Sequence, residues 1–250
     1  HLIISHGEKG GVGKSTFASI VVEAAINSGK KIAVVDADPR SGDVELSDVA
    51  ARYTNVPDCQ AIRLSLAKSG ADAADAVSQL FEHVEQIDYD FIVINSPPNS
   101  YESLEENAEI IADVAHELGY EIGIGWLLGT EDVSAIMATQ SRICQLADKK
   151  VAIINRHEGS SDSRFSWFQK PQYRQAWLDS GGMEAEMPEL AARVAGAVRD
   201  TLSDPAYKGW TMARLASAGS PLPAINRTML ASWLKKCITQ CVFPICDFSD

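Results

Sequence analysis

The run Glu8-Lys9-Gly10-Gly11-Val12-Gly13-Lys14-Ser15-Thr16 constrains this chain more than any other stretch. It follows a short apolar segment, Leu2–Ser5, and precedes a segment with helical spacing, Ser15–Ser28. Strand, glycine-rich loop and helix in that order is the context in which the pattern G-x-x-x-x-G-K-[ST] cradles phosphate. Gly13-Lys14-Ser15 supplies the second half of the pattern, and Glu8 stands where its first glycine is expected. The chemistry follows from the residue types. Gly10, Gly11 and Gly13, with Val12 between them, let backbone N–H groups approach phosphate oxygens because no Cβ intervenes. A helix that starts near Lys14 points its positive end at the anion. Lys14 then neutralises the β- and γ-phosphates, while Ser15, followed by Thr16, offers a hydroxyl to magnesium. The ligand predicted is a nucleoside triphosphate, ATP with Mg2+, with ADP as the product form.

The rest of the chain alternates in a way that suits such a loop. Short apolar runs at Leu2–Ser5, Lys31–Val35, Phe91–Ile94, Ile122–Leu128 and Val151–Ile154 predict strands. Helical spacing fills Ser15–Ser28, Ala71–Gln86, Leu104–Leu118 and Val133–Leu146. Near-continuous apolar strands separated by helices predict a doubly wound α/β fold, a mostly parallel sheet with helices on both faces. Arg156–Gly182 reads as a long irregular stretch with a short helix. From Met187 to about Cys241 the pattern is helical, with breaks near Asp204-Pro205 and Gly219–Pro223. No linker is evident, so residues 1–250 are expected to form one domain with a helical C-terminal part.

Composition narrows the partners. The net charge is −12. Residues 1–125 carry 8 Lys/Arg against 21 Asp/Glu, and residues 126–250 carry 14 against 13. A strongly basic nucleic-acid footprint is absent, although a local basic patch in the second half stays open. No apolar run reaches the length of a membrane-spanning helix. No signal peptide is visible, and a cytoplasmic protein is expected. The five cysteines are odd in number, and Cys237, Cys241 and Cys246 match no common zinc spacing, so reduced thiols are expected.

Lys9 is more informative than the loop alone requires. The run Lys9-Gly10-Gly11-Val12-Gly13-Lys14-Ser15 resembles the deviant Walker A motif of the ParA/MinD group of ATPases. The resemblance implies an ATP-dependent homodimer in which Lys9 reaches across to the partner's nucleotide. The other reading of Lys9 is a solvated side chain that helps only by local charge. Asp36-Ala37-Asp38-Pro39-Arg40, after the second strand, is similar to the family's acidic segment leading into switch I. By that resemblance Asp38 sits near the attacking water or the magnesium shell, and Asp43 could share the role, with Asp48 a weaker candidate. The other reading is that Asp36 and Asp38 cap a turn.

Phe91-Ile92-Val93-Ile94-Asn95-Ser96-Pro97-Pro98 resembles the family's Walker B strand and switch II. The family usually has aspartate where this chain has Asn95. Asparagine keeps the shape and a carbonyl oxygen for the metal shell but brings no negative charge. Either Asn95 is native, implying slow hydrolysis or a compensating acid such as Asp38, or it is a replacement that traps the ATP-bound form. The late strand ending Asn155-Arg156 looks like the family's adenine-reading segment, with Asn155 and more weakly Arg156 at the base. Pro188 and Glu189, in Met187-Pro188-Glu189-Leu190, resemble the loop that closes over it. The strand-end alternative for Asn155 is a simple turn residue.

Beyond these motifs the resemblance loosens. Aromatics interleaved with basic residues in Arg164–Trp177 fit either a DNA or protein contact or, preferentially, a small satellite core. The C-terminal stripe Met229-Leu230, Trp233-Leu234, Cys237-Ile238, Cys241-Val242 is expected to be a helix packed on the sheet rather than a membrane-surface helix. The order of segments is similar to the conjugative-plasmid branch of StbB- and MobD/TraL-like proteins. That implies a slowly hydrolysing switch for plasmid partition, positioning or conjugation, acting through a DNA-binding adaptor, with direct DNA contact left open. A membrane-associated MinD-like regulator, an ATP-dependent synthetase of the same fold and, because of Asn95, a non-hydrolysing scaffold are the alternatives.

Overall fold

The computed structural model describes residues 1–37, 49–63, 70–96 and 101–248. Within them the chain runs β1 (Leu2–His6), α1 (Lys14–Asn27), β2 (Ile32–Asp36), α2 (Val49–Tyr53), β3 (Cys59–Arg63), α3 (Ala71–Glu85) and β4 (Phe91–Asn95). It continues through α4 (Tyr101–Glu106), α5 (Ala108–Glu117), β5 (Ile122–Leu128), α6 (Asp132–Gln140), α7 (Arg142–Leu146) and β6 (Lys149–Asn155). The last part holds α8 (Ser166–Gln169), α9 (Pro171–Asp179), β7 (Met183–Met187), α10 (Ala192–Ser203), α11 (Met212–Leu215) and α12 (Ala224–Cys237). A π-helical turn at Ile238–Val242 extends α12.

The strands form one seven-stranded sheet in the order β3-β2-β4-β1-β5-β6-β7. Every pairing in it is parallel. Alternate residues of the central strands feed opposite cores. Ile3, Ile32, Val34, Phe91 and Val93 pack on the side of α1 and the C-terminal helices. Leu2, Ile4, Ala33, Val35, Ile92 and Ile94 pack on the side of α3, α5 and α6. A side-chain period of two, apolar in both phases, is what a strand buried on both faces demands. The chain winds outward from β1 through β2 to β3, returns to β4, then crosses to β5. Strand order therefore reverses around β1, and in open α/β sheets ligands bind at the carboxyl ends of the strands at such a reversal.

Two expected helices are each divided. The stretch predicted as Leu104–Leu118 breaks at the buried Asn107, whose side chain donates to the Ser103 carbonyl. The stretch predicted as Val133–Leu146 breaks at Ser141, whose hydroxyl accepts from Cys144 N–H to cap α7 and donates to Glu105 at 2.6 Å. The strands β3 and β7 were not expected.

The aromatic stretch 164–177 does not form the separate small core expected of it, because its buried rings join the main core on the α3, α5 and α6 side of the sheet. Phe165, Trp167 and Trp177 are fully buried, and the two tryptophans meet edge to face. The C-terminal stripe packs inward as well: Leu230, Trp233, Leu234, Cys237, Cys241 and Val242 all belong to the core on the α1 side. Among the described residues no helix is long and apolar enough to cross a membrane.

Candidate functional site

The buried strand β1 delivers the chain to the reversal point, and residues 7–13 fold there into a loop that ends on α1. Gly11 and Gly13 have φ of +84° and +107°, a region that side chains with a Cβ rarely enter. Gly13 is doubly constrained, because a Cβ there would lie 2.6 Å from Asn155 Nδ2 and 3.1 Å from Met187 Cε. Val12 is buried beneath the loop and its carbonyl accepts from Asn155 Nδ2 at 2.9 Å. Gly10, Gly11, Ser15 and Thr16 are exposed at the mouth. The first turn of α1 leaves backbone N–H groups without helical partners, which suits an anion.

Lys14 is buried and its ammonium bridges the loop from inside, donating to the Lys9 carbonyl at 2.7 Å and the Gly7 carbonyl at 3.4 Å. The lysine predicted to hold phosphate thus braces the loop that surrounds it. Lys9 extends outward and pairs with Glu131, Nζ to Oε1 2.7 Å, with both side chains about half exposed. That hydrogen bond raises the Lys9 ammonium above the usual lysine value.

Asn95, at the end of β4, lies opposite Ser15. Its Nδ2 donates to Ser15 Oγ at 3.3 Å and to Asp36 Oδ1 at 3.0 Å, and both Asn95 and Asp36 are buried. Asp36 Oδ2 accepts from Val49 N–H at 2.6 Å and Ala50 N–H at 3.4 Å, so it caps α2. The turn that Asp36 and Asp38 were alternatively expected to cap lies largely outside the described residues. Asp38, Asp43 and Asp48 lie outside the described residues. Asn95 Oδ1 is buried and has no hydrogen-bond partner among the described residues. An unspent carboxamide oxygen beside an exposed serine hydroxyl and a carboxylate is a set of hard oxygen donors, which fits magnesium. Ser15 and Asn95 would hold it, with less charge than an aspartate at position 95 would bring.

A cavity of about 740 Å³ opens from the loop. Gly11, Gly13 and Thr16 form one end, and Asn155, Pro188 and Glu189 form a wall. Its size lies within the range of small-molecule and cofactor sites. The Asn155 amide is committed in part: besides Val12 O, its Oδ1 accepts from His157 N–H at 3.1 Å. A second N–H and a second lone pair remain for a base. Pro188 is fastened by Trp233, whose Nε1 donates to its carbonyl at 2.6 Å and which also lines the cavity. Glu189 faces His157 at 3.3 Å.

Arg156 departs from expectation. Its guanidinium binds Glu186 and Asp162 and lies over the Phe165 ring, so it closes the end of β7 rather than a base pocket. Two opposing carboxylates outcompete the cavity for a charge-assisted fork.

Sequence reasoning missed His6. It is fully buried at the end of β1, where burial and then the Lys14 charge push its pKa down to about 3. The Ser96 hydroxyl donates to the Ser5 carbonyl at 2.8 Å, leaving its oxygen to accept from His6 Nδ1 at 3.1 Å. His6 thus ties β1 to the residue after Asn95. Only its place between an apolar strand and the glycine loop marked it. Glu23 in α1 was missed too. It is buried, and accepts from Met212 N–H, Ala213 N–H and Tyr53 Oη at 2.6, 2.9 and 3.1 Å. It joins the loop's helix to α2 and α11.

A family-level match agrees with this geometry. A family model described as the CobQ/CobB/MinD/ParA nucleotide binding domain matches residues 3–164. Protein MobD of Acidithiobacillus ferrooxidans is 22% identical over 227 residues, covering 91% of this chain and 90% of that protein. The cell division ATPase MinD of Pyrococcus furiosus aligns at 18% identity with a TM-score of 0.46, covering 94% of this chain and 98% of that one. A chain of the MinC:MinD cell division protein complex of Aquifex aeolicus aligns at 14% identity and a TM-score of 0.49, over the whole of both chains. The family match takes in the glycine loop, its helix, Asp36, Asn95 and Asn155, well over half of the sequence. With the loop braced on a buried lysine at the reversal point of an all-parallel sheet, the chain belongs to the CobQ/CobB/MinD/ParA family of P-loop nucleotide-binding domains.

Proposed function

We propose that this protein is an ATP- and magnesium-dependent dimeric switch that hydrolyses ATP slowly and acts, through a DNA-binding adaptor, in plasmid partition, positioning or conjugation. The observation that carries the reading is the pair of lysines on one loop: Lys14 turned inward to the phosphate cradle, Lys9 turned outward. A half-exposed lysine at the rim of a phosphate site, held outward by Glu131, supports contact with a second subunit's anion. The end-to-end relationship with MobD supports the plasmid setting. Ligand binding shifts such a switch only by its differential affinity for the two states, so the dimer must hold nucleotide more tightly than the monomer does.

The chain's own groups divide the work. The loop amides and Lys14 hold phosphate, Ser15 and Asn95 supply oxygens to magnesium, and the walls at Asn155, Pro188 and Glu189 receive the base. Bound magnesium supplies charge neutralisation on the phosphates. Asn95 donates to Asp36 and Ser15 and brings no charge of its own, which supports slow turnover.

Lys9→Ala tests the reading. Sedimentation velocity with ATP and magnesium should show a dimer for the native chain and a monomer for the variant, while equilibrium ATP binding to the monomer changes little. Equal loss of both would make Lys9 a local phosphate ligand. A native chain that stays monomeric with saturating ATP and magnesium would end the switch model.

A further inference from the structure

All of the net charge of this protein can be assigned to one stretch. Residues 71–120 hold 12 Asp/Glu and no Lys or Arg, and the other 200 residues hold 22 of each sign. The stretch builds α3, β4, α4 and α5, and β4 is buried, so ten of the twelve acids are carried by helices on one side of the sheet and two, Asp88 and Asp90, by the connection from α3 to β4. Elsewhere several acids are answered by bases: Arg156 with Glu186 and Asp162, Arg174 with Glu184, Lys149 with Glu121, Lys9 with Glu131 and Lys170 with Asp132. On this side, among the described residues, Glu109 meets Arg142. Among the described residues Asp75, Glu82, Glu85, Asp113 and Glu117 have no ion-pair partner. Concentrated charge of one sign opposes folding through self-repulsion, so a chain balanced everywhere else has a cost confined to one face.

That face also has an apolar seam. A groove of about 320 Å³ runs between α3 and α5, floored by Val77, Phe81 and Val114, with Glu82 and Glu85 on its rim. Ile110 lines it and is 53% exposed, although α5 has a buried face available to it. The seam follows α3, whose 15 residues span about 22 Å.

We propose that the α3–α5 groove is a docking site for a basic amphipathic helix of a partner protein, about four turns long. Apolar side chains at helical spacing fill the seam beside Ile110, and Lys or Arg on the flanks meet the carboxylates of the rim. Charge complementarity selects this occupant. Nucleic acid and anionic lipid are repelled by the same carboxylates, and a second copy of this face would set acid against acid. The site lies across the sheet from the cavity and stands whether or not that cavity holds nucleotide.

The test uses the full chain without nucleotide and a fluorescent peptide of about 16 residues, with leucines at i, i+3/i+4 and i+7 and lysine or arginine between them. Anisotropy should show saturable binding that weakens as NaCl rises from about 50 to about 500 mM. A peptide of the same composition with the leucine stripe scrambled should bind about tenfold more weakly, as should the native peptide to Ile110→Lys and to a Glu82→Lys/Glu85→Lys double variant. Ile225→Lys, at an apolar position 65% exposed on α12, should bind like the native chain. All these positions are exposed, and circular dichroism confirms folding before each titration. Equal binding of the scrambled peptide, or equal binding by the groove variants, would overturn the proposal. So would concentration-dependent self-association of the native chain that Ile110→Lys abolishes, because the occupant would then be a second copy.

Discussion

Asn95→Asp restores the residue usual in this family and should nevertheless destabilise the protein when no divalent ion is present. Asn95 Nδ2 donates to Asp36 Oδ1 at 3.0 Å, and both residues are buried. A carboxylate at position 95 replaces that hydrogen bond with two unit charges at the same separation. At an effective dielectric of about 20 the repulsion is about 5 kcal/mol, and the lost hydrogen bond to a charged group adds about 1.5–3 kcal/mol. Side-chain relaxation and protonation of one carboxyl reduce the sum, and a net loss of about 3–5 kcal/mol is expected at pH 8. The folded pair shares a proton that the unfolded chain releases, so the folded state binds more protons and its stability falls as pH rises. The deficit is therefore largest near pH 8 and smaller near pH 5. Magnesium should offset it more in the variant than in the native chain, because only the variant brings a second carboxylate to the site. Urea unfolding at both pH values, with EDTA and with millimolar MgCl2, measures each term. A variant as stable as the native chain at pH 8 in EDTA, or one whose deficit is the same at both pH values, would refute the reasoning.

Three further outcomes follow from the same geometry. Gly13→Ala places a Cβ 2.6 Å from Asn155 Nδ2 at a φ of +107°, and should cost about 1–3 kcal/mol in thermal or urea unfolding while weakening ATP binding. Glu23→Ala leaves the Met212 and Ala213 N–H groups and the Tyr53 hydroxyl without their acceptor, so a loss of about 3–5 kcal/mol in urea unfolding is expected, with Glu23→Gln retaining part of it. His6 stays neutral in the folded protein to about pH 3, whereas the unfolded chain takes up its proton near pH 6.5. The stability associated with that neutral ring is complete above pH 6.5 and falls by about 1.4 kcal/mol per pH unit below it. His6→Asn, which keeps a donor for Ser96, should flatten the stability–pH curve between about pH 6 and 4; an unchanged slope would assign the acid sensitivity to other groups.

What could be read from the sequence was whatever is locally encoded. The phosphate loop is contiguous, and its glycines are needed for backbone reasons that hold in any fold. The five inner strands announce themselves because burial on both faces makes them apolar in both phases. The edge strands are a different case. Cys59–Arg63 is only partly buried, and Met183–Met187 alternates methionine and alanine with glutamates held by Arg174 and Arg156. A strand paired on one side, with polar residues neutralised by distant arginines, carries no continuous apolar run. The helix breaks at Asn107 and Ser141 were hidden for a related reason. Neither residue is proline or glycine, and the Ser141 break depends on Glu105, 36 positions away. Arg156 was drawn toward the base by its neighbour Asn155, but its direction is set by Glu186 and Asp162. The same holds for Asp36, whose role in joining Asn95 to α2 exists only once β2 and β4 lie side by side. Local motifs revealed what the site binds, while long-range pairings decide how its parts are braced.

The central claim is that the loop around Lys14 is a nucleotide site, and direct titration tests it. Isothermal calorimetry of the native chain with ATP and magnesium should give saturable binding at one site per chain. Lys14→Ala should lose that binding while remaining folded by circular dichroism. Absence of saturable binding to the native chain, or the same affinity in Lys14→Ala, would contradict the account.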